Sequence, residues 1–124
     1  MPSSNPVNWF EIPTSDIARA KMFYATILDI ELVDSEMGPK KMAWFPMEMN
    51  VPGAPGTLVQ GDGYTPSHEG SLVYFHVPSI ETTLEKITSQ GGKVLMPKMT
   101  IGEHGHIAHF EDTEGNRVAL HEKP

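Results

Sequence analysis

The chain has 124 residues, of which 39% are hydrophobic and 20% charged, and this is enough for one domain with a single hydrophobic core. Its formal net charge of −7 argues against nucleic-acid binding, because phosphate contacts require clustered basic side chains and the nine here are scattered. The lack of cysteine excludes disulfides, thiolate catalysis and thiolate metal sites. No apolar run approaches the ~20 residues that span a bilayer and no signal peptide is evident, so we expect a cytoplasmic protein without membrane partners.

The first half of the chain predicts a strand, a helix and three further strands. Residues 7–12 alternate between two faces, and Pro13 ends this strand because it has no N–H for a ladder. Thr14, Ser15 and Asp16 offer capping oxygens for a helix over 17–28, whose apolar residues recur at helical spacing. Short strands are predicted over 30–33, 41–45 and 57–60, with a loop rich in proline and glycine over 46–56.

The second half repeats this order after a turn-rich linker over 61–67. A strand over 71–77 ends at Pro78, and a helix over 80–90 begins after Ser79 and stops at Gly91 and Gly92. Strands follow over 93–96, 105–111 and 116–122. The last two form an antiparallel hairpin, because the sequence D-T-E-G-N over 112–116 favours a tight turn.

Two landmarks recur at the same offset and indicate a duplication. Ile12-Pro13 recurs as Val77-Pro78, and M-A-W-F over 42–45 recurs as I-A-H-F over 107–110, which is 65 positions in each case (77 − 12 and 107 − 42). The predicted fold class is therefore α+β, with two βαβββ modules forming a curved mixed sheet of eight strands around a cavity and the helices outside. The modules cover about 6–62 and 70–123 of a single domain over 1–124.

Five segments carry a resemblance to a known family: N-W-F-E-I-P-T-S-D at 8–16, A-K-M-F-Y at 20–24, L-V-Y-F-H-V at 72–77, Q-G-G-K-V at 90–94 and F-E-D-T-E-G-N-R-V at 110–118. With them the chain resembles the vicinal oxygen chelate superfamily, which includes glyoxalase I, bleomycin-resistance proteins, fosfomycin-resistance enzymes and extradiol dioxygenases. It looks closest to the branch of predicted enzymes related to lactoylglutathione lyase. The resemblance implies paired βαβββ units around a cavity that binds a small molecule, usually in a homodimer.

The resemblance also implies where a metal would be held. Metal enzymes of the family place ligands on the first, fourth, fifth and last strands, and these positions fall here on Trp9, on a stretch from Val51 to Gly61 without carboxylate or imidazole, on or beside Leu72, and on Ala119. Indole and aliphatic side chains do not coordinate divalent cations. We therefore expect no metal at the family's site and no other cofactor.

Three side chains are the candidate catalytic residues: Glu11, His109 and His121. Glu11 lies near the end of an otherwise apolar strand, where partial burial would suit a general base, although a structural pairing with Arg117 or a histidine is an open alternative. In the fosfomycin-resistance branch the residue three before the hairpin aspartate points into the pocket, and here that residue is His109. Strand alternation and the offset of 65 add a predicted ligand pocket of Trp9, Trp44, Tyr74, His76, Arg117 and Ala119.

Three functions follow from these residues, and a fourth alternative is a degenerate partner of another chain that binds no ligand. The first is a metal-independent lyase or isomerase that binds a partly apolar molecule and moves a proton with Glu11 and His109 or His121. The second is a binding protein without turnover that sequesters a drug, and acidic residues near the pocket would suit a cationic ligand. The third is a metalloenzyme with relocated ligands from Glu11, His109 and His121.

Overall fold

The structure is a computed structural model that describes residues 5–48 and 50–124; the first four residues of the Pro- and Ser-rich lead, and Met49 of the predicted 46–56 loop, lie outside this range. Within it, neither helix is long and apolar enough to cross a membrane. The elements in chain order are β1 (Phe10–Pro13), α1 (Ile17–Leu28), β2 (Val33–Met37), β3 (Lys40–Trp44), β4 (Gly56–Gln60), β5 (Tyr74–His76), α2 (Ile80–Ser89), β6 (Lys93–Thr100), a short 3₁₀ turn (Gly102–His104), β7 (His106–Glu111) and β8 (Arg117–Glu122).

The strands form two sheets with the same topology. One has the order β1-β4-β3-β2 and the other β5-β8-β7-β6, and in each the first strand is parallel to the last while the other pairs are antiparallel. The predicted α+β fold of two βαβββ modules is confirmed. The expectation of one continuous eight-stranded sheet is wrong for the described residues, because each module pairs only within itself and β1 and β5 are edge strands.

The helices cover one face of the sheets and share a core. Helix α1 has the predicted bounds, with the Asp16 side chain accepting a bond from the Arg19 backbone N–H at 3.1 Å and Asp29 ending it in the left-handed region. It contacts α2 and packs on β3 and β4, while α2 packs on β6, β7 and β8. Phe75 of the second module packs against Phe10 and Phe45 of the first, with ring centroids 5.7 and 5.4 Å away.

Strand boundaries differ from the sequence expectation where a strand lies at a sheet edge. The strand predicted over 30–33 lies instead at Val33–Met37, and each of its side chains is exposed. Hydrophobic alternation cannot mark such a strand, because its position is set by pairing with β3 through the turn at Gly38. Likewise, β1 begins at Phe10 rather than Val7, β5 shortens to Tyr74–His76, and β6 extends to Thr100 through two register shifts.

The predicted hairpin turn joins the two modules through a buried carboxylate. Asp112 is 2% exposed and accepts bonds from the Tyr24 hydroxyl at 2.6 Å, from the backbone N–H groups of Glu114 and Asn116 at 2.9 Å, and from the Asn116 amide at 3.0 Å. The same Asn116 amide donates to the Pro13 carbonyl at 2.8 Å. Burial, together with the charge of Asp112, raises the pKa of Tyr24 well above its usual value, so the phenol stays a donor.

Glu114 adds a second link from this turn to the start of α1. Its carboxylate accepts the backbone N–H groups of Ser15 and Asp16 at 2.8 Å and the Arg19 guanidinium at 2.8 and 3.1 Å. Although burial acts to raise the pKa of Glu114, the bonds from Arg19 and the backbone outweigh it and lower the pKa. The hairpin is therefore a structural connection between the modules, and the Asp, Glu and Asn of the turn are committed to it.

Candidate functional site

A cavity of about 1150 Å³ lies where the edge strands β1 and β5 approach each other. Its apolar walls include Trp9, Phe10, Phe45 and Phe75, and residues at the end of α1 and in the first turns of α2 also line it. Pockets that bind small molecules typically have a few hundred to about 1000 Å³ of space, mostly apolar walls and a few polar groups. The size and lining of this cavity therefore suit a small organic molecule with an apolar body.

Four of the nine predicted site residues line this cavity: Trp9, Glu11, Tyr74 and His76. The other five, which are Trp44, His109, Arg117, Ala119 and His121, are not among its lining residues. They lie further into the sheets on the strand faces turned away from the helices, because their neighbours Ala43, Ala108, Phe110, Val118 and Leu120 are in the shared core. The structure thus divides the predicted pocket into a cavity and an adjoining sheet face.

Strand register shows that the two modules present equivalent rows on this face. In the first module Glu11, Thr57 and Trp44 are adjacent across β1, β4 and β3. In the second module Tyr74, Ala119 and His109 are adjacent across β5, β8 and β7. The backbone positions correspond, but the side chains of the second row carry an imidazole and a phenol where the first carries a carboxylate and an indole.

Glu11 belongs to a chain of polar contacts that the sequence reasoning missed. Its Oε1 accepts a hydrogen bond from the Tyr64 hydroxyl at 3.1 Å, and that hydroxyl accepts a bond from Lys40 Nζ, also at 3.1 Å. The bond to Tyr64 is the main cause that raises the pKa of Lys40. Glu11 is exposed rather than partly buried as expected, and its bonded partner is Tyr64 rather than Arg117 or a histidine. Tyr64 was missed because it lies in the turn-rich 61–67 segment, which has no periodicity.

His109 is held between Arg117 and Tyr74. Its Nδ1 accepts bonds from Arg117 Nε at 3.0 Å and Nη2 at 2.8 Å, and its Nε2 lies 3.3 Å from the Tyr74 hydroxyl oxygen. Burial, and then the charge of Arg117, lowers the pKa of His109 below its usual value. The imidazole is therefore neutral near pH 7, and Arg117 occupies the nitrogen that a general base would use.

His121 and His76 are the second polar cluster of the second module and bring two imidazoles close together. Their ring centroids are 6.3 Å apart, and His121 Nε2 donates to the His104 carbonyl at 2.6 Å. A carbonyl only accepts, so the Nε2 of His121 carries a proton and, in the neutral ring, Nδ1 does not. The contact with the 3₁₀ turn fixes the ring of His121, while His76 is exposed at the cavity.

The positions where the family resemblance places metal ligands do not fit a divalent cation. Trp9 packs edge-on against Trp44 at 5.2 Å, and Ala119 is fully buried. Thr57, which corresponds by register to Ala119, uses its hydroxyl to bond the Ala43 and Leu58 carbonyls at 2.9 Å. In the described part of the chain no three histidine or acidic side chains come close enough to hold a metal, so Glu11, His109 and His121 do not assemble the relocated cluster.

Comparison with known sequences identifies relatives over almost the whole chain. A family model described as the Glyoxalase/Bleomycin resistance protein/Dioxygenase superfamily matches residues 7–120. A glyoxylase-like domain-containing protein of Didymella fabae is 28% identical over 127 residues, which cover 95% of this chain and 94% of that protein.

Comparison with solved structures agrees on the fold. A glyoxylase/bleomycin resistance protein/dioxygenase domain from Frankia sp. EAN1pec superposes with a TM-score of 0.75 at 18% identity, covering 98% of this chain and 100% of that one. A glyoxalase I mutant from Zea mays superposes with a TM-score of 0.70 at 19% identity, covering 94% of this chain and 46% of that one. This chain therefore spans less than half the length of the maize protein.

Proposed function

The chain belongs to the Glyoxalase/Bleomycin resistance protein/Dioxygenase superfamily, and we propose that it binds a small, partly apolar molecule in the cavity between β1 and β5 without a metal at the family's positions. The observation that carries this proposal is the cavity of about 1150 Å³ with its aromatic walls. Burial of an apolar ligand there would contribute roughly 25 cal/mol per Å² of apolar surface removed from water.

The polar side chains at this cavity are few and differ in kind. Glu11 supplies an anionic acceptor on β1, and Tyr74 and His76 supply a phenol and an imidazole on β5. A few polar groups on otherwise apolar walls orient a ligand rather than provide most of its affinity. This arrangement favours ligands that combine a flat apolar body with one or two polar atoms.

Acetophenone is a suitable probe, and its binding is measured by calorimetry on protein treated with a chelator. We expect saturable binding by the wild type and at least a tenfold loss in Ala54→Trp, because Ala54 lines the cavity and an indole there would fill it. The matched control is Ala18→Trp, which adds the same indole on the exposed side of α1. Equal binding by both variants, or binding that appears only after metal is added, would contradict the proposal.

A second candidate function is proton transfer, as in an isomerase or lyase, with Glu11 as the general base. The specific observation in its favour is that the Glu11 carboxylate lines the cavity and is held by Tyr64. His121 has an unprotonated Nδ1 when neutral and is the second predicted participant. His109, whose Nδ1 accepts from Arg117, is better suited to orient a ligand than to take a proton.

This second function is tested by following the exchange of the methylene protons of 2-hydroxyacetophenone in D₂O by NMR. Abstraction of a proton next to the carbonyl replaces it with deuterium, and we expect Glu11→Gln to abolish this catalysed exchange. Acetophenone binding by the same variant should stay within about twofold, which separates loss of the base from loss of the cavity. No exchange above the buffer rate in the wild type would leave binding without turnover as the function.

The metalloenzyme with ligands from Glu11, His109 and His121 is not favoured, because these side chains do not come together in the described part of the chain. Such a site would need ligands from both sheets, since Glu11 lies on β1 of the first sheet and His109 and His121 lie in the second sheet. Elemental analysis of protein purified without a histidine tag tests it. We expect less than about a tenth of an equivalent of zinc, nickel, manganese or iron, and a stoichiometric metal would favour this alternative.

A homodimer is also proposed, as the family resemblance implies. The edge strand β2 is exposed along its length, and Val33 and Met37 on it are 67% and 60% exposed. An exposed edge with apolar side chains is suited to pairing with a second chain. Light scattering should give twice the chain mass of 13.7 kDa, and Val33→Lys should shift the protein toward the monomer.

A further inference from the structure

A directed row of hydrogen bonds, in which each donor has a fixed direction, links Arg117 on β8 to His109 on β7 and His109 to Tyr74 on β5. Arginine has only N–H donors, so the His109 Nδ1 atom that contacts both Arg117 nitrogens must be unprotonated. In the neutral ring the single proton therefore lies on Nε2. The direction of the first bond fixes the tautomer of the imidazole.

The tautomer of His109 also determines which group donates in its hydrogen bond with Tyr74. His109 Nε2–H donates to the Tyr74 hydroxyl oxygen at 3.3 Å, so the Tyr74 proton cannot be used toward His109. The lowered pKa of His109, caused by burial and then by Arg117, keeps the ring in this neutral form near pH 7. Tyr74 is 46% exposed and is one of the residues that line the cavity, and the direction of its bond with His109 leaves its own O–H to donate to another acceptor.

We propose that Tyr74 is a hydrogen-bond donor to the bound ligand, that Arg117 and His109 are positioning residues that set this direction, and that the ligand carries an acceptor such as a ketone, aldehyde or carboxyl oxygen beside its apolar body. This inference rests on the proposed binding function and adds the chemical class of the ligand. The aromatic walls bind the body, and the phenol selects molecules with a carbonyl oxygen over hydrocarbons of the same shape.

The binding experiment compares acetophenone with ethylbenzene, which has nearly the same shape and no acceptor. In the wild type we expect acetophenone to bind more tightly, and Tyr74→Phe to weaken acetophenone binding by about three- to tenfold, because one net hydrogen bond is lost. Ethylbenzene binding should stay within about twofold, since the ring of residue 74 is kept. Arg117→Met, which retains the length of the side chain without donors, should reduce the preference for acetophenone in the same direction.

A second measurement does not depend on any ligand. Two-dimensional imidazole NMR on ¹⁵N-labelled protein assigns the tautomer of His109, and we expect protonated Nε2 and unprotonated Nδ1 in the wild type. Arg117→Met should give a mixture of tautomers, a change that a merely structural role for Arg117 would not produce.

The outcomes separate this inference from the proposed function. Equal weakening of both probes by Tyr74→Phe, or no weakening of either, would overturn the donor role while leaving cavity binding intact. A proton on Nδ1 of His109 in the wild type would overturn the directed row even if both probes bind. If neither probe binds, the proposed function fails, and the ligand class fails with it.

Discussion

The β7–β8 hairpin carries two polar clusters that are used in different ways. At its turn, Asp112 and Asn116 are 2% and 5% exposed, and their bonds go to protein groups of both modules. On its outward face, Arg117 donates to His109, which in turn bonds Tyr74 of β5, and Tyr74 is 46% exposed at the cavity. A polar cluster that is buried and fully bonded stabilises the fold, whereas one that ends in a half-exposed donor is available to a ligand.

The comparison also separates the structural part of the motif from the part that is proposed to bind a ligand. The F-E-D-T-E-G-N segment is the most recognisable stretch of the chain, and its turn residues join the modules. The residues proposed to face a ligand occur on the flanking strands, at every second position, where the side chains alternate between core and outward face. Substitutions at the turn should therefore change stability, and substitutions on the face should change binding.

The largest expected effect comes from breaking the turn cluster. Asp112→Ala leaves the Tyr24 hydroxyl and the Asn116 amide without their buried acceptor, so we expect the free energy of unfolding to fall by about 3–5 kcal/mol. Urea denaturation followed by circular dichroism measures it. The exposed control Asp62→Ala should stay within about 0.5 kcal/mol of the wild type, and a similar loss in both variants would contradict the structural role.

Glu114→Gln should have the next largest effect, a loss of about 1–3 kcal/mol at pH 7. The backbone N–H groups of Ser15 and Asp16 lose a charged acceptor, while Arg19 is half exposed and its ion pair adds little.

The pH dependence of this difference checks its cause. The folded-state pKa of Glu114 is below the ordinary value of 4.5, so its contribution is fully present above that value and is lost as the pH falls through the folded pKa. The difference in the free energy of unfolding between the wild type and Glu114→Gln should therefore become smaller at acidic pH. A gap that is constant with pH would show that the charge is not responsible.

On the outward face, Arg117→Met should change stability by less than about 1 kcal/mol but change the titration of His109. Burial keeps the pKa of His109 low, and removal of the Arg117 charge should raise it part of the way toward 6.5, as measured by NMR. The pKa of His109 is lower in the folded than in the unfolded wild-type protein. The stability that depends on the neutral ring is therefore fully present above the unfolded-state pKa and is lost as the pH falls toward the folded-state pKa. Arg117→Met should lose less stability than the wild type over that pH range. An unchanged pKa of His109 in the variant would contradict the contact between Arg117 and His109.

The smallest expected effect on stability is that of Tyr64→Phe. The variant loses the exposed hydrogen bond to Glu11 and the partly buried one from Lys40, so the free energy of unfolding should change by less than about 1 kcal/mol. Deuterium exchange of 2-hydroxyacetophenone should slow measurably if Tyr64 orients Glu11. A destabilisation as large as that of Asp112→Ala would show that this cluster is structural too.

Local chemistry explains which elements the sequence predicts well. Helix α1 is predicted to the residue, because its capping oxygens and its apolar spacing are both local, and α2 is predicted to within one residue. The edge strand β2 is misplaced because its residues are all exposed and carry no alternation. The repeat at an offset of 65 positions and the family resemblance together supply the module arrangement, which the pattern of a single element does not contain.

The site was predictable only where it follows strand alternation. Strand alternation predicts Trp9, Glu11, Tyr74 and His76 as site residues, and these four line the cavity, while their role in binding stays a prediction. The contact of Tyr64 with Glu11 is tertiary, since it brings a segment without periodicity across 53 positions of sequence. The location of the cavity between β1 and β5 depends on how the two modules pack, which is not encoded in the pattern of either one.

The most direct test of ligand binding in the β1–β5 cavity is an NMR titration of chelator-treated, ¹⁵N-labelled protein with acetophenone. Saturable shift changes should concentrate at backbone amides of β1, of residues 71–79 and of the first turns of α2, and they should be absent in Ala54→Trp. Changes that are confined to other surfaces, that never saturate, or that require added metal would contradict the account.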